Sequence, residues 1–289
     1  METYNDIYLR ARKRLRLAGI EASDMEARLI VARAAGKTRE ELLASGRLYV
    51  TDSAVAGAVE EMTGRRVEGE PVAYILGEWE FYSLPIIVNE AVMIPRVDTE
   101  ILAGEAIRLM KLRGGQGRML DLCAGSGCVG LAVAANVPEC RIVLADISEQ
   151  AISICRANML KNNLSRNITA IEADALEAPP SLLGAFDLIA SNPPYIPTRE
   201  LDSLDISVRE HEPVRAFDGG PDGLYFIRAI TTNWPALLKP GGYLAFECGA
   251  GQAPEVRGIM EDGGFREISV HLDTLGVERV VTGQITINN

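Results

Sequence analysis

The sequence predicts an α/β protein, a doubly wound sheet of seven strands that follows a small helical region and a β-hairpin. Three observations carry this. After Arg118, short apolar runs alternate with helix-like stretches, the pattern of a largely parallel sheet buried on both faces. The first seventy residues instead carry apolar side chains at helical spacing. Between the two, "DLCAGSG" leads from an apolar run into a helix through Gly125 and Gly127, a turn that brings backbone N–H groups to a helix start.

Taken in order, Tyr4, Ile7, Tyr8, Ala11 and Leu15 predict a first helix, stopped at Gly19. Ser23 with Glu26, and Thr38 with Glu41, predict capping boxes opening two more, and a fourth runs through Val55, Val59 and Met62. Residues 1–70 show no evident catalytic group and are assigned as a helical substrate-docking domain. From Pro71 the pattern changes: β-rich pieces at 79–82 and 85–88 predict a hairpin within a linker spanning 71–96. Asp98-Thr99-Glu100 opens a helix to about Met110, the start of a third domain over 97–289. Strands are expected near 119–122, 141–145, 168–172, 186–190, 242–247, 265–270 and 278–282. The last two, joined only by "HLDTLG", should pair antiparallel.

Composition narrows the function. The chain is 47% hydrophobic and 24% charged, ordinary values for a folded protein. No apolar run is long enough to span a bilayer and the N-terminus is amphipathic, so a cytoplasmic protein without membrane contact, a monomer, is expected. Five cysteines without a Cys-x-x-Cys pair suit reduced thiols, and two distant histidines, His211 and His271, argue against a His-based metal site or a Ser/His/Asp triad. Residues 1–89 carry 12 basic and 14 acidic side chains and the remainder 17 and 26, which disfavours a nucleic-acid surface. Arg10, Arg12, Lys13, Arg14 and Arg16 form one local basic cluster, either a solvated helix face or a contact for an acidic partner.

The chemistry-bearing residues fall at strand ends. Cys123, Ala124, Gly125, Ser126 and Gly127 form the first turn, and Asp146 ends the next strand, where a carboxylate can bind both hydroxyls of a ribose. A Gly-x-Gly turn alone also serves as a tight connection; the turn with Asp146 points to a nucleoside. Gly130 completes a formal G-x-G-x-x-G, but Asp121 before the glycines suits S-adenosylmethionine, which has no pyrophosphate and carries an ammonium group. Asp174, with Ala175 beside it, follows the third strand and is placed to reach the adenine. The fourth strand delivers Asn192-Pro193-Pro194-Tyr195. An amide or aromatic amino group is a poor nucleophile because its lone pair is delocalised. The Asn192 side-chain oxygen and the Pro193 carbonyl can accept its two hydrogens, the prolines stiffen the acceptors, and Tyr195 can pack against the substrate plane.

The stretches "PVAYILGEWEFY", "MIPRVDTE", "DLCAGSGC", "ADISEQAI", "SNPPYIP" and "HEPVRAFDGGPDGLYFIRAI", in this order, resemble the HemK/PrmC group of protein-glutamine methyltransferases over nearly the whole chain. The Asn-Pro-Pro-Tyr tetrad is shared with adenine amino-methyltransferases; the "IPRVDTE" and "HEP…GGPDGL" blocks are specific. The resemblance implies a helical N-terminal domain, a β-hairpin and a seven-stranded S-adenosylmethionine-dependent methyltransferase domain. It implies as substrate the glutamine of the Gly-Gly-Gln loop of peptide chain release factors, with S-adenosylhomocysteine as the second product. Ala124 stands where that group often has Thr, and His211 where it often has Tyr. The chain's own Gly114-Gly115-Gln116 reads as a flexible turn. The competing reading, an adenine amino-methyltransferase acting on DNA or RNA, uses the same tetrad but lacks support from the acidic charge balance and from any evident base-reading module.

Overall fold

The structure, a computed structural model, describes residues 2–286. The chain divides into two compact units, one running to Glu78 and including Asp205–His211, the other comprising Trp79–Leu204 and the residues from Glu212 onward. No helix among the described residues is long and apolar enough to cross a membrane.

The first unit contains α1 (Tyr4–Leu17), α2 (Ser23–Ala34), α3 (Arg39–Ser45), α4 (Ser53–Val67) and the short α5 (Val72–Leu76). Ile7, Tyr8, Ala11 and Leu15 are buried as their spacing predicts. The Thr38–Glu41 capping box forms, and a further one, Thr3–Asp6, opens α1. The expected Ser23–Glu26 box does not: Ala22 is the cap, and the Glu26 carboxylate turns to Arg66 of α4 at 2.7 Å. A buried carboxylate gains more from a charged partner than from one backbone N–H. The basic cluster is largely neutralised within this unit, Arg10 pairing with Glu2, Arg12 with Asp24 and Arg14 with Glu60. Lys13 and Arg16 remain exposed.

The second unit opens at Trp79, within β1 (Glu78–Phe81), which pairs with β2 (Leu84–Ile87) in a two-stranded sheet. Its turn places Tyr82 and Ser83 at φ of 50° and 62°, the left-handed pair that matches the twist of a tight hairpin. There follow α6 (Thr99–Leu112), β3 (Arg118–Leu122), α7 (Cys128–Asn136), β4 (Arg141–Asp146), α8 (Glu149–Lys161), β5 (Ile168–Glu172) and β6 (Phe186–Ser191). After α9 (Ile206–His211), which belongs to the first unit, come α10 (Tyr225–Asn233), β7 (Leu238–Glu247), α11 (Ala253–Asp262), β8 (Phe265–Leu272) and β9 (Glu278–Ile285).

These strands form a seven-stranded sheet in the order β5-β4-β3-β6-β7-β9-β8. The first five are parallel, and β9 runs antiparallel to both β7 and β8, as the short connection before β9 predicts. β7 begins earlier than expected, because Leu238 pairs with Phe186 before a register shift around Lys239–Gly242. Phe186, Trp234, Phe246 and Phe265 are fully buried around the sheet. Each such side chain contributes about 1.5–3 kcal/mol. The strand order reverses between β3 and β6, which creates a crevice beyond their carboxyl ends.

Candidate active site

A cavity of about 310 Å³ occupies that crevice, at the small end of the range for small-molecule sites. One wall is the turn from β3 into α7. Gly125 has φ +53° and open space where a Cβ would stand, so its bare backbone faces the cavity. Gly127 and Gly130 are glycines for a different reason: a Cβ would lie 2.9 Å and 2.3 Å from Leu144 side-chain atoms, so they let α7 lie close on the sheet. Asp146, at the end of β4, fixes this turn. Its Oδ2 accepts Gly125 N–H at 2.8 Å and its Oδ1 accepts Ser148 N–H at 2.9 Å, which leaves one lone-pair direction on each oxygen. Asp121 Oδ2 accepts Gly130 N–H at 2.8 Å. Burial pushes the Asp121 carboxyl up to about 7, against that N–H, with Asp146 adding to the rise. Burial also raises Asp146.

The opposite wall follows β6. Asn192 donates its Nδ2 hydrogen to Thr99 Oγ1 at 3.2 Å, and this turns its Oδ1 away from Thr99. Among the described residues no donor reaches the Pro193 carbonyl. The two prolines fix φ and cannot donate, so the Pro193 carbonyl holds its direction without a hydrogen bond of its own, while Asn192 Oδ1 is aimed by the bond to Thr99. Support comes from behind: Gly219 and Gly223 approach so closely that a Cβ would lie 2.7 Å from Tyr195 Cα and 2.2 Å from Tyr195 O. The "GGPDGL" block is therefore glycine-rich because the tetrad's backbone rests against it. Gln252 Nε2 donates to Tyr195 O at 2.9 Å, and the Tyr195 hydroxyl donates to Glu247 Oε1 at 3.2 Å.

Of the twelve residues singled out by sequence, Cys123, Ala124, Gly125, Ser126, Asp146, Asp174, Ala175, Asn192 and Pro194 line the cavity. Gly127, Pro193 and Tyr195 do not. Gly127 packs against Leu144 and Cys155, Pro193 is buried, and the Tyr195 hydroxyl is committed to Glu247. Ala175 gives its carbonyl to Trp234 Nε1–H at 3.0 Å, which pins the loop after β5. The lining carries Asp121, Asp146 and Asp174 against a single cation among the described residues, Arg215, so it favours a positively charged ligand.

Sequence reasoning missed the residues that hold these walls. Asn158 of α8, fully buried, exchanges hydrogen bonds with the Ile87 backbone at 2.6 and 3.0 Å and donates to Ser126 O at 3.0 Å, joining β2 to the glycine turn. Glu212, buried, accepts Ile94 N–H at 3.0 Å and pairs with Arg96, fixing the segment from which Met93 and Pro95 line the cavity. The "DTE" triplet divides its work: Asp98 pairs with Arg279 at 3.1 Å, Thr99 holds Asn192, and Glu100 Oε1 accepts Tyr82 N–H at 2.9 Å. The specific blocks "IPRVDTE" and "HEP…GGPDGL" were the visible signal, but not their partners.

The chain matches the PrmC N-terminal domain family over residues 6–77 and the methyltransferase small domain family over residues 99–206. A release factor glutamine methyltransferase of Geobacter sulfurreducens is 38% identical over 269 residues, covering 92% of this chain and 91% of that protein. One from Caulobacter vibrioides is 35% identical, covering 94% and 93%. Among solved structures, a methyltransferase from Pyrococcus furiosus has a TM-score of 0.51 at 14% identity, covering 79% of this chain and all of that one, a likeness of fold alone. Identity and coverage of this extent place the chain in the release factor glutamine methyltransferase family.

Proposed function

We propose that this protein methylates the side-chain amide nitrogen of the glutamine in the Gly-Gly-Gln motif of peptide chain release factors, using S-adenosylmethionine. The observation that carries the reading is the pairing of an acidic, glycine-backed cavity with the Asn192 oxygen turned away from Thr99 and the undonated Pro193 carbonyl next to it. The cavity fits the cofactor: Gly125 leaves open space above its backbone, and three carboxylates suit a ligand with cationic groups. Asp146 would accept both ribose hydroxyls on its remaining lone pairs, Asp121 would face the ammonium group, and Asp174 with Ala175 would border the adenine. When bound, the cofactor supplies an electrophilic methyl group on a sulfonium.

The protein's own part is orientation. Asn192 Oδ1 and the Pro193 carbonyl each take one hydrogen of the substrate amide, which stops its rotation and favours a more tetrahedral nitrogen as its lone pair is drawn out of conjugation. Pro194, on the cavity wall, keeps the approach apolar. Labelled methyl transfer to a purified release factor, run beside oligonucleotides, tests the reading. Label in the protein at a Gly-Gly-Gln glutamine is expected; label in nucleic acid alone would overturn it in favour of an adenine amino-methyltransferase. Substrate docking is assigned to residues 1–70. A folded chain lacking them should keep cofactor affinity and lose release-factor binding, and undiminished methylation of the full-length factor would refute that assignment.

A further inference from the structure

The turn after β6 is tied down by very little. Among the described residues a single hydrogen bond reaches the main chain of Pro193, Pro194 or Tyr195, the one from Gln252 Nε2 to Tyr195 O at 2.9 Å. Gln252 directly precedes α11, and its side-chain amide is used at both ends. While Nε2 donates to Tyr195 O, Oε1 accepts Gly249 N–H at 2.8 Å. The Gly249 bond decides which end is which. A backbone N–H requires an acceptor, so Oε1 faces Gly249 and the NH2 is left for Tyr195 O. Two glycines make room for this side chain: a Cβ at Gly223 would lie 2.6 Å from Gln252 Nε2, and one at Gly249 would lie 3.0 Å from Oε1.

We propose that Gln252 is a positioning residue that fixes the direction of the Pro193 carbonyl by holding Tyr195 O. The inference rests on the reading of that carbonyl and Asn192 Oδ1 as the acceptor pair for the substrate amide. The path from Gln252 to the carbonyl is short and stiff. The peptide plane carrying the Pro193 carbonyl ends at Pro194, whose ring fixes the next φ. Only ψ of Pro194 and the two backbone angles of Tyr195 lie between that plane and the anchored oxygen. Gly219 closes on the same stretch, where a Cβ would lie 2.8 Å from Pro194 O and 2.7 Å from Tyr195 Cα. Packing of this kind resists approach but does not hold. Gln252 supplies the directed attraction.

A carboxyl group of the same shape separates this role from the filling of space. Gln252→Glu keeps the acceptor for Gly249 N–H but sets an oxygen against Tyr195 O, and protonation returns an O–H donor there. A half-buried carboxyl that faces a carbonyl oxygen titrates above the usual carboxylate range. The charged and titratable groups on the surrounding elements are few. Glu247 of β7 accepts the Tyr195 hydroxyl, and burial pushes its carboxyl up to about 7 and the neighbouring Cys248 thiol up to about 12. Glu255 lies in the first turn of α11, Asp222 pairs with Arg228 of α10 at 2.6 Å, and the carbonyl of Arg279 in β9 accepts Cys248 N–H at 2.9 Å. All of these titrate in the wild type as well, so the ratio of variant to wild type reads position 252.

The test compares Gln252→Glu and Gln252→Met in the full chain at saturating S-adenosylmethionine. Single-turnover methylation of a release factor should fall about tenfold in Gln252→Met and about a hundredfold in Gln252→Glu, the scale of a misplaced reacting group. The KM for the release factor and the affinity for S-adenosylmethionine should stay within about threefold of the wild type, because orientation acts on the transition state. From about pH 8 down to about pH 5.5 the rate of Gln252→Glu relative to wild type should climb roughly fivefold or more, as the carboxyl gains its proton, while that of Gln252→Met stays level. A level ratio for Gln252→Glu would overturn the inference. So would wild-type turnover in both variants beside an inactive Asn192→Ala, a result that leaves the acceptor pair standing. Undiminished turnover in Asn192→Ala would instead overturn the acceptor pair and the inference with it. Should Gln252→Glu not fold, wild-type turnover in Gln252→Met alone would overturn the inference.

Discussion

Two turns face each other across the cavity, at the ends of strands that pair Leu122 with Ser191, and they are built on opposite principles. The turn after β3 is held mainly by the next strand, β4, with Asn158 of α8 bonding Ser126 O from behind. Gly125 N–H goes to Asp146, Ala124 N–H to Ala145 O at 3.0 Å, and positive φ angles at Cys123, Gly125 and Gly127 bend the chain. The turn after β6 has stiffness of its own from Pro193 and Pro194, but its direction is imposed from Thr99, Gly219, Gly223, Glu247 and Gln252. The difference teaches that, on the proposed reading, the half assigned to ligand binding is largely a local device, carried by a short motif and one carboxylate with Asn158 behind it. The half assigned to the reaction is a tertiary device, and a change far along the chain should disable it while leaving the first half intact.

That contrast is sharpest at Gly223. Its φ is +77° and a Cβ would lie 2.2 Å from Tyr195 O, so Gly223→Ala must displace the tetrad. A shift of this kind costs on the order of a hundredfold in turnover, with backbone strain of about 1–3 kcal/mol. Cofactor affinity by calorimetry should stay near that of the wild type. Equal losses in turnover and affinity would break the comparison, because the two turns would then behave as one unit.

On the other side, Asp146→Ala removes the group that fixes Gly125 and Ser148 and would take the ribose hydroxyls. Affinity for S-adenosylmethionine should weaken by about 1.5–3 kcal/mol, the range for hydrogen bonds to a charged group. Calorimetry returning unchanged affinity would remove Asp146 from the ligand site. A smaller effect follows from Asp121, whose carboxyl sits near 7 because it is buried. A cationic ligand favours the ionised form, so binding should be strongest above about pH 7 and fall by no more than roughly tenfold between about pH 8 and pH 6. Affinity that rises over that descent would mean that Asp121 does not face a cation.

The same contrast explains what was legible in the sequence. The seven strands and the antiparallel last pair rest on local apolar runs and short spacings; they form as expected, with β7 starting early, and Asp146 falls at the end of β4 beside the glycine turn. The tetrad's stiffness was legible because proline acts on its own backbone. Its supports were not, since Thr99, Gly223 and Glu247 lie between 28 and 93 residues away in the chain, and nothing in a hydrophobic pattern pairs them. Glu26 shows the same limit on a smaller scale: its spacing from Ser23 suited a capping box, and Arg66 of another helix claimed the carboxylate. Tyr195 reads in the sequence as packing against the substrate plane; what the sequence does not show is that its hydroxyl is tied to Glu247 and that it lies outside the cavity lining.

The central claim is that Asn192 Oδ1 orients the amide that becomes methylated. Single-turnover methylation of a release factor by Asn192→Ala and Asn192→Asp measures it most directly. Loss of one oriented acceptor should cost about 2.7–4 kcal/mol of transition-state stabilisation, roughly a hundred- to thousandfold, in Asn192→Ala, with cofactor affinity changed far less. Asn192→Asp keeps an acceptor oxygen but adds a charge and loses the hydrogen given to Thr99, so it should retain partial activity. Near wild-type turnover in Asn192→Ala would contradict the account.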